Sequence, residues 1–213
     1  MRVQVLQGIF IHYLWFLLAL TVHEWGHAWV ADRLGDATPR LTGRVTLNPL
    51  AHVSFLGTII IPLAVFLFSP GFALIGWGCP VVINSDNFKH KKWGDILCSL
   101  AGPLLNLILG LLVLLLGFAI ENSNRSLSHL CVVGAMVNVS LGLFNLIPIP
   151  PLDGAHVLKA VVGIRKEIFV EFSKKGGFVL LILINLSIFR YYFTMANRFL
   201  FDLYWQFCKF LFA

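Results

Sequence analysis

Between Ile96 and Ile120 the chain runs for 25 residues without a charged side chain. As a helix rising about 1.5 Å per residue, that stretch is long enough to cross a hydrocarbon core of about 30 Å. Water cannot satisfy backbone N–H and C=O groups at that depth, so the segment must bond to itself as a helix. Charge is scarce elsewhere too. Asp, Glu, Lys and Arg make up 12% of the 213 residues, while hydrophobic residues make up 58%. A soluble domain carries roughly 25% charged residues. The expectation is an all-α polytopic membrane protein, with a soluble globular fold excluded.

Two further stretches read as spans. Ile9 to Val30 is 22 residues long and its only formal charge is Glu24; Leu130 to Ile147 contains none. The first lacks a small-residue cleavage site, so it is expected to stay as a helix. Phe55 to Gly76 is also apolar, but Pro62 and Ser69-Pro70-Gly71 divide it into pieces too short to cross. The alternating run Leu41 to Leu47 predicts a short strand, part of a hairpin between the first helix and that broken segment. Beyond a charged stretch at 155–175, the apolar run 176–189 and the aromatic-rich tail 191–213 predict C-terminal helices in, or lying on, the membrane. Residues 1–213 thus read as one membrane-embedded domain, its core at about 8–160 and a helical region at 161–213, with no internal repeat. Cys79, Cys98, Cys131 and Cys208 show no CxxC spacing and imply neither a disulfide framework nor a thiolate metal site. The net charge of +6 fits positively charged loops on one membrane face better than nucleic-acid binding.

His23-Glu24-Trp25-Gly26-His27 is an HExxH pattern inside the first span. Residues i and i+4 share a helix face, so both imidazoles point at one metal ion, with Glu24 at the edge of that face. His23 stands 14 residues past Ile9, about 21 Å along the helix. An acidic residue well inside a membrane costs about 2.5–3.5 kcal/mol on insertion scales, and such residues are functional by default. A tetrahedral zinc bound by two histidines needs a third protein ligand and an open position for water. Asp153 follows the third span in the Pro-rich segment Pro148-Ile149-Pro150-Pro151-Leu152-Asp153-Gly154. On spacing alone it is either that ligand or an ordinary Asp-Gly turn residue. His12, His52, His90, His129 and His156 lie too far away, in loops or at helix ends.

These segments resemble the site-2 protease family of intramembrane zinc metalloproteases. The match rests on HEWGH at 23–27, AGPLLN at 101–106 and FNLIPIPPLDG at 144–154, in that order. GRVTLNP at 43–49 and GWGCPV at 77–82 are similar to its compact bacterial members, over roughly residues 8–160. The resemblance implies one zinc ion held by His23, His27 and Asp153, with Glu24 catalytic and Asn145 beside the substrate. It also implies a three-helix catalytic core acting on transmembrane protein substrates. Cys79 departs from the pattern, since compact relatives usually carry a basic residue before that proline, and the chain has no PDZ-like insertion. Asn106 and Asn138 read as bonds between helices. Strand 41–47 would offer an edge to an extended substrate segment.

One metal touching both His27 and Asp153 requires the first and third spans to run in the same direction. Only Ile96–Ile120 then crosses between them, so 53–76 is expected to enter the membrane and return. With re-entry, loops 31–52, 77–95 and 155–175 place eleven Lys and Arg on the metal side, against Arg2, Arg125 and Arg190 opposite. A full span would give nine against five. The positive-inside rule prefers re-entry and puts the zinc toward the cytoplasm. The competing readings are a zinc or divalent-metal transporter and an inactive membrane scaffold. A transporter needs a polar relay, yet 96–120 and 130–147 contain no His, Asp or Glu. A scaffold would have lost a ligand or Glu24, and all four residues are present.

Overall fold

The computed structural model describes residues 2–62 and 76–212. Three long helices form its centre: α1 (Arg2–Leu34), α3 (Lys91–Ile120) and α4 (Arg125–Asn145). Each is long and apolar enough to cross a membrane, counting α1 from Gln7. A four-residue helix, α2 (Thr38–Leu41), follows α1; α5 (Asp153–Val162), α6 (Lys166–Asn185) and α7 (Ser187–Phe212) follow α4. The chain is an all-α polytopic membrane protein, with no strand among the described residues. The helices outrun the uncharged stretches because polar residues at their ends sit at the membrane surface, where helix still satisfies the backbone. The third span stops at Asn145, before Ile147, because Pro148 disfavours helix in the residue ahead of it.

Interhelical contacts fix the directions. Ala19 and His23 of α1 bond Asn106 of α3, while His27, one turn later, bonds Cys98, two turns earlier, so α1 and α3 run antiparallel. Gly110 and Gly117 of α3 face Ala135 and Cys131 of α4, again antiparallel. Hence α1 and α4 run in the same direction. Gly134 makes their approach possible: a Cβ there would collide with the Trp15 ring. Small residues at such contacts let membrane helices pack closely. At 82° to α6, α7 returns across α3 and α4. Tyr204 donates to the Leu107 carbonyl at 3.2 Å, Ser140 donates to Asn197 at 2.7 Å, and Phe118 meets Trp205 edge to face.

The strand expected at 41–47 is absent. Thr38-Pro39 starts a helical turn, and Gly43 ends it in the left-handed region at φ 69°. Arg44 N–H then closes on the Pro39 carbonyl at 2.8 Å and Gly43 N–H on Arg40 at 3.0 Å. These local bonds use the donors a hairpin would need, and alternation alone supplies no partner strand. Substrate addition to an edge at 41–47 falls with it.

Most of the segment expected to re-enter, 63–75, lies outside the described residues. Its two ends meet beside α1. Trp77 N–H donates to the Gly57 carbonyl at 3.1 Å, and Cys79 N–H to the His52 carbonyl at 2.7 Å. Thr58 accepts from the Tyr13 hydroxyl through its carbonyl at 2.9 Å, so this junction sits well inside the length of α1. From there residues 77–84 climb along α1, reaching Glu24 at Val81 and Asp36 at Asn84.

Asp36 anchors that climb. Fully buried just beyond α1, its carboxylate accepts from Thr38 N–H and hydroxyl (3.2 and 2.6 Å), Asn84 N–H (2.7 Å) and Asn87 Nδ2 (2.8 Å). Burial alone would raise its pKa, but these donors outweigh it and hold the carboxyl below the usual carboxylate range. A carboxyl depressed on folding stabilises the fold above its unfolded pKa, and that contribution fades as pH falls through the folded value. Protection of the amides at residues 84–87 against hydrogen exchange, relative to their intrinsic rates, is therefore expected to be high at neutral pH and to fall below about pH 4. In Asp36→Asn that acid dependence is expected to vanish.

Candidate metal centre

The site begins on α1, where His23 and His27 stand one turn apart on the face turned toward α3 and are 4% and 7% exposed. Asp153 reaches the same point from the first residue of α5, beyond the end of α4. Its Oδ2 lies 3.0 Å from His23 Nε2 and 3.3 Å from His27 Nε2, and the two Nε2 atoms are 3.1 Å apart. Gly154 permits this approach, because a Cβ there would collide with the Leu146 carbonyl. The Asp-Gly pair thus brings a carboxylate close to the helix that precedes it, beyond what a turn alone requires.

Hydrogen bonds fix which nitrogen of each imidazole faces inward. His27 Nδ1 donates to the Cys98 carbonyl at 2.7 Å, which can only accept. His23 Nδ1 donates to Asn106 Oδ1 at 2.7 Å. The Asn106 orientation is set in turn by its Nδ2, which donates to the Ala19 carbonyl (2.9 Å) and to Asn138 Oδ1 (3.1 Å). With protons on both Nδ1 atoms, the neutral rings direct Nε2 lone pairs at each other and at the carboxylate. Asp153 Oδ2 is buried and receives no hydrogen bond. Three electron pairs converging in a buried space repel one another unless a cation lies between them. A tetrahedral zinc with bonds of about 2.0–2.1 Å spaces its ligand atoms about 3.3 Å apart. The observed separations of 3.0–3.3 Å match that spacing, so the residues fit the ion.

Glu24 sits beside this cluster without joining it. Its Oε2 accepts from the Val81 N–H at 3.2 Å, which ties it to the ascending segment 77–84. Asn145, at the end of α4, donates its amide to the Leu141 carbonyl at 3.0 Å. Cys79 packs by Arg44, whose guanidinium donates to the thiol sulfur at 3.0 Å and to the Ala51 carbonyl. A basic side chain therefore serves that position from another part of the chain.

Two supporting residues were not read as such in the sequence. Asn106 makes the bond between helices that its place in a span predicts, and it also orients His23. Gly102 leaves open the face of α3 over the cluster: a Cβ there would stand 2.8 Å from His23 Nε2 and closer still to His27 Nε2. Their signal was present as AGPLLN, but only the register of α3 against α1 gives it meaning. Outer partners of metal-bound histidines are typically worth about 10–100-fold in metal affinity. Asn106→Leu is therefore expected to weaken zinc binding by about that factor. Asn106→Asp, which retains an acceptor for His23 Nδ1 but turns an oxygen toward the Ala19 and Asn138 oxygens that Nδ2 donates to, is expected to recover only part of it in chelator competition.

With this geometry in view, the comparisons with known proteins are specific. Residues 120–184 match the family model described as Peptidase family M50. The chain is 36% identical over 177 residues to YwhC of Bacillus subtilis, covering 78% of this chain and 76% of that protein. It is 30% identical over 197 residues to Rip2 of Mycolicibacterium smegmatis, covering 90% and 71%. Rip2 of Mycobacterium tuberculosis is 28% identical over 194 residues, with the same coverage. All three carry zinc metalloprotease in their names. No solved structure matches the chain.

Proposed function

Because this chain belongs to peptidase family M50, the site-2 zinc metalloproteases, we propose that it cleaves peptide bonds within or beside transmembrane helices of other membrane proteins. In this reading zinc is held by His23, His27 and Asp153, and Glu24 is the general base. The observation that carries the reading is the convergence of His23, His27 and Asp153 lone pairs at a point inside a bundle of membrane-spanning helices.

When bound, zinc polarises the scissile carbonyl and makes water a stronger acid. The chain supplies the rest. Glu24 keeps one carboxylate oxygen on Val81 N–H and has the other available for the proton of the attacking water. That proton then passes from Glu24 to the leaving amine as the C–N bond breaks. Asn106 and the Cys98 carbonyl hold the imidazoles so that their ligating nitrogens do not swing away. A helical substrate hides its peptide bonds in its own hydrogen bonds, so the segment to be cut must unwind before it reaches Glu24. In this reading Asn145, at the end of α4, donates to substrate main chain once its bond to the Leu141 carbonyl opens.

The reconstituted chain, zinc-loaded in liposomes with a single-span substrate, is expected to yield a product that a chelator abolishes, without accumulating zinc in the lumen. Zinc uptake without cleavage would overturn the protease in favour of a transporter. The excess of Lys and Arg in loops 31–52, 77–95 and 155–175 supports a site facing the cytoplasm. Cysteines introduced at Leu41 and Asp86, on either side of 53–76, should then both be labelled from the cytoplasmic face. Labelling of the two from opposite faces would refute the re-entrant path, and labelling of both from the outer face would refute the orientation.

A further inference from the structure

Where α1 ends and α3 begins, a cavity of about 170 Å³ opens beside the helix ends, and none of His23, Glu24, His27 or Asp153 lines it. Its rim carries Arg33, Lys89, His90 and Trp93; Leu34, Phe88 and Leu97 form its apolar side. The span Gln7–Leu34 ends here and the span Lys91–Ile120 begins, so the cavity lies at the level where both helices leave the hydrocarbon. Trp93, 65% exposed, suits that depth, where indole rings concentrate.

The charge of the rim is one-sided. No lining residue is acidic. Among the described residues, the nearby carboxylates are engaged elsewhere: Asp32 with Arg40 at 3.3 Å, Asp86 with Lys91 at 2.7 Å, and Asp36 with its four donors. Arg33 has no carboxylate partner among them. Its guanidinium carbon lies over the Trp29 ring, 4.9 Å from the centroid, a cation–π contact that commits none of its N–H donors to a carboxylate. A rim of donors without a counter-charge, bordered by apolar surface at headgroup depth, complements an anion that carries acyl chains.

We propose that this cavity binds the headgroup of an anionic glycerophospholipid. Its phosphate sits between Arg33 and Lys89 with His90 as a further donor, and an acyl chain descends along Trp93 and the exposed Leu97. A free phosphate would use the donors but leave that apolar side unfilled. The bound lipid would fasten the end of α1, the helix that carries both histidines, to the start of α3.

The test is native mass spectrometry of the zinc-loaded full chain in detergent, offered phosphatidylglycerol and phosphatidylcholine in equal amounts. Wild type is expected to retain phosphatidylglycerol preferentially. Basic residues near an anionic surface are worth about fivefold each, so R33Q/K89Q is expected to lose about 25-fold of that preference. Its zinc content should stay unchanged, and K174Q/K175Q, altered on α6, should behave as wild type. If the double variant loses zinc, Lys89→Gln alone decides, with a loss of about fivefold. Inorganic phosphate at matched ionic strength should leave the lipid in place. Equal retention of the two lipids by wild type, unchanged preference in the variant, or full displacement by inorganic phosphate would each overturn the proposal.

Discussion

Glu24→Gln is expected to lower the rate of peptide hydrolysis by about 10²–10⁴-fold, the usual contribution of a positioned acid–base group. Zinc content should not change. Gln keeps the carbonyl oxygen that accepts from Val81 N–H and nearly the same volume, so the tie to segment 77–84 survives. What it loses is basicity: an amide cannot take the proton of the attacking water. The separation of the two readouts matters, because loss of zinc along with activity would make Glu24 part of the metal site. Equal cleavage by variant and wild type would remove Glu24 from the reaction.

Gly102→Ala acts through space. The added methyl would stand 2.8 Å from Cε1 and Nε2 of His23 and nearer to Nε2 of His27, in the region where the ion must lie. Neither ring can turn aside cheaply, since Asn106 and the Cys98 carbonyl hold both Nδ1 atoms. Overpacking a filled site costs about 1–3 kcal/mol, which corresponds to about 5- to 150-fold weaker zinc binding. Activity measured at limiting zinc should fall in proportion and recover in part when zinc is raised. Thermal stability of the metal-free form should fall as well, because the methyl meets both rings with or without the ion and the better helix propensity of Ala offsets only part of that cost. Undiminished zinc affinity would show that Gly102 leaves no space the ion uses.

The parts of this protein written in local pattern were legible. The uncharged run from Ile96 to Ile120 announced a membrane helix, and HEWGH announced two histidines on one face of another. The shared direction of α1 and α4 followed from asking one ion to touch His27 and Asp153, and the antiparallel contacts of α3 with both helices agree. Asp153 itself was ambiguous by spacing. What sets it apart from a turn residue is a tertiary fact, its carboxylate lying 3.0 and 3.3 Å from the Nε2 atoms of His23 and His27.

The rest depended on registers between helices, which a single chain does not display. Asn106 bonds His23 and Ala19 only because α3 lies against α1 with residue 106 opposite residues 19–23. Gly102 is empty for a reason only because the histidines lie across from it. The strand expected at 41–47 failed in the opposite way. Its alternation was real, but Thr38-Pro39 and the left-handed Gly43 close local hydrogen bonds before any pairing can form.

The central claim, that a zinc site within the bundle cuts membrane-embedded peptide bonds, is tested most directly by locating the scissile bond. A single-span substrate reconstituted with the zinc-loaded chain would be digested and both fragments sequenced by mass spectrometry, with Glu24→Gln as the blank. The expected result is one zinc-dependent cut within the transmembrane segment or a few residues from its end. Cuts confined to the substrate's soluble portions, or a pattern shared with Glu24→Gln, would contradict the account.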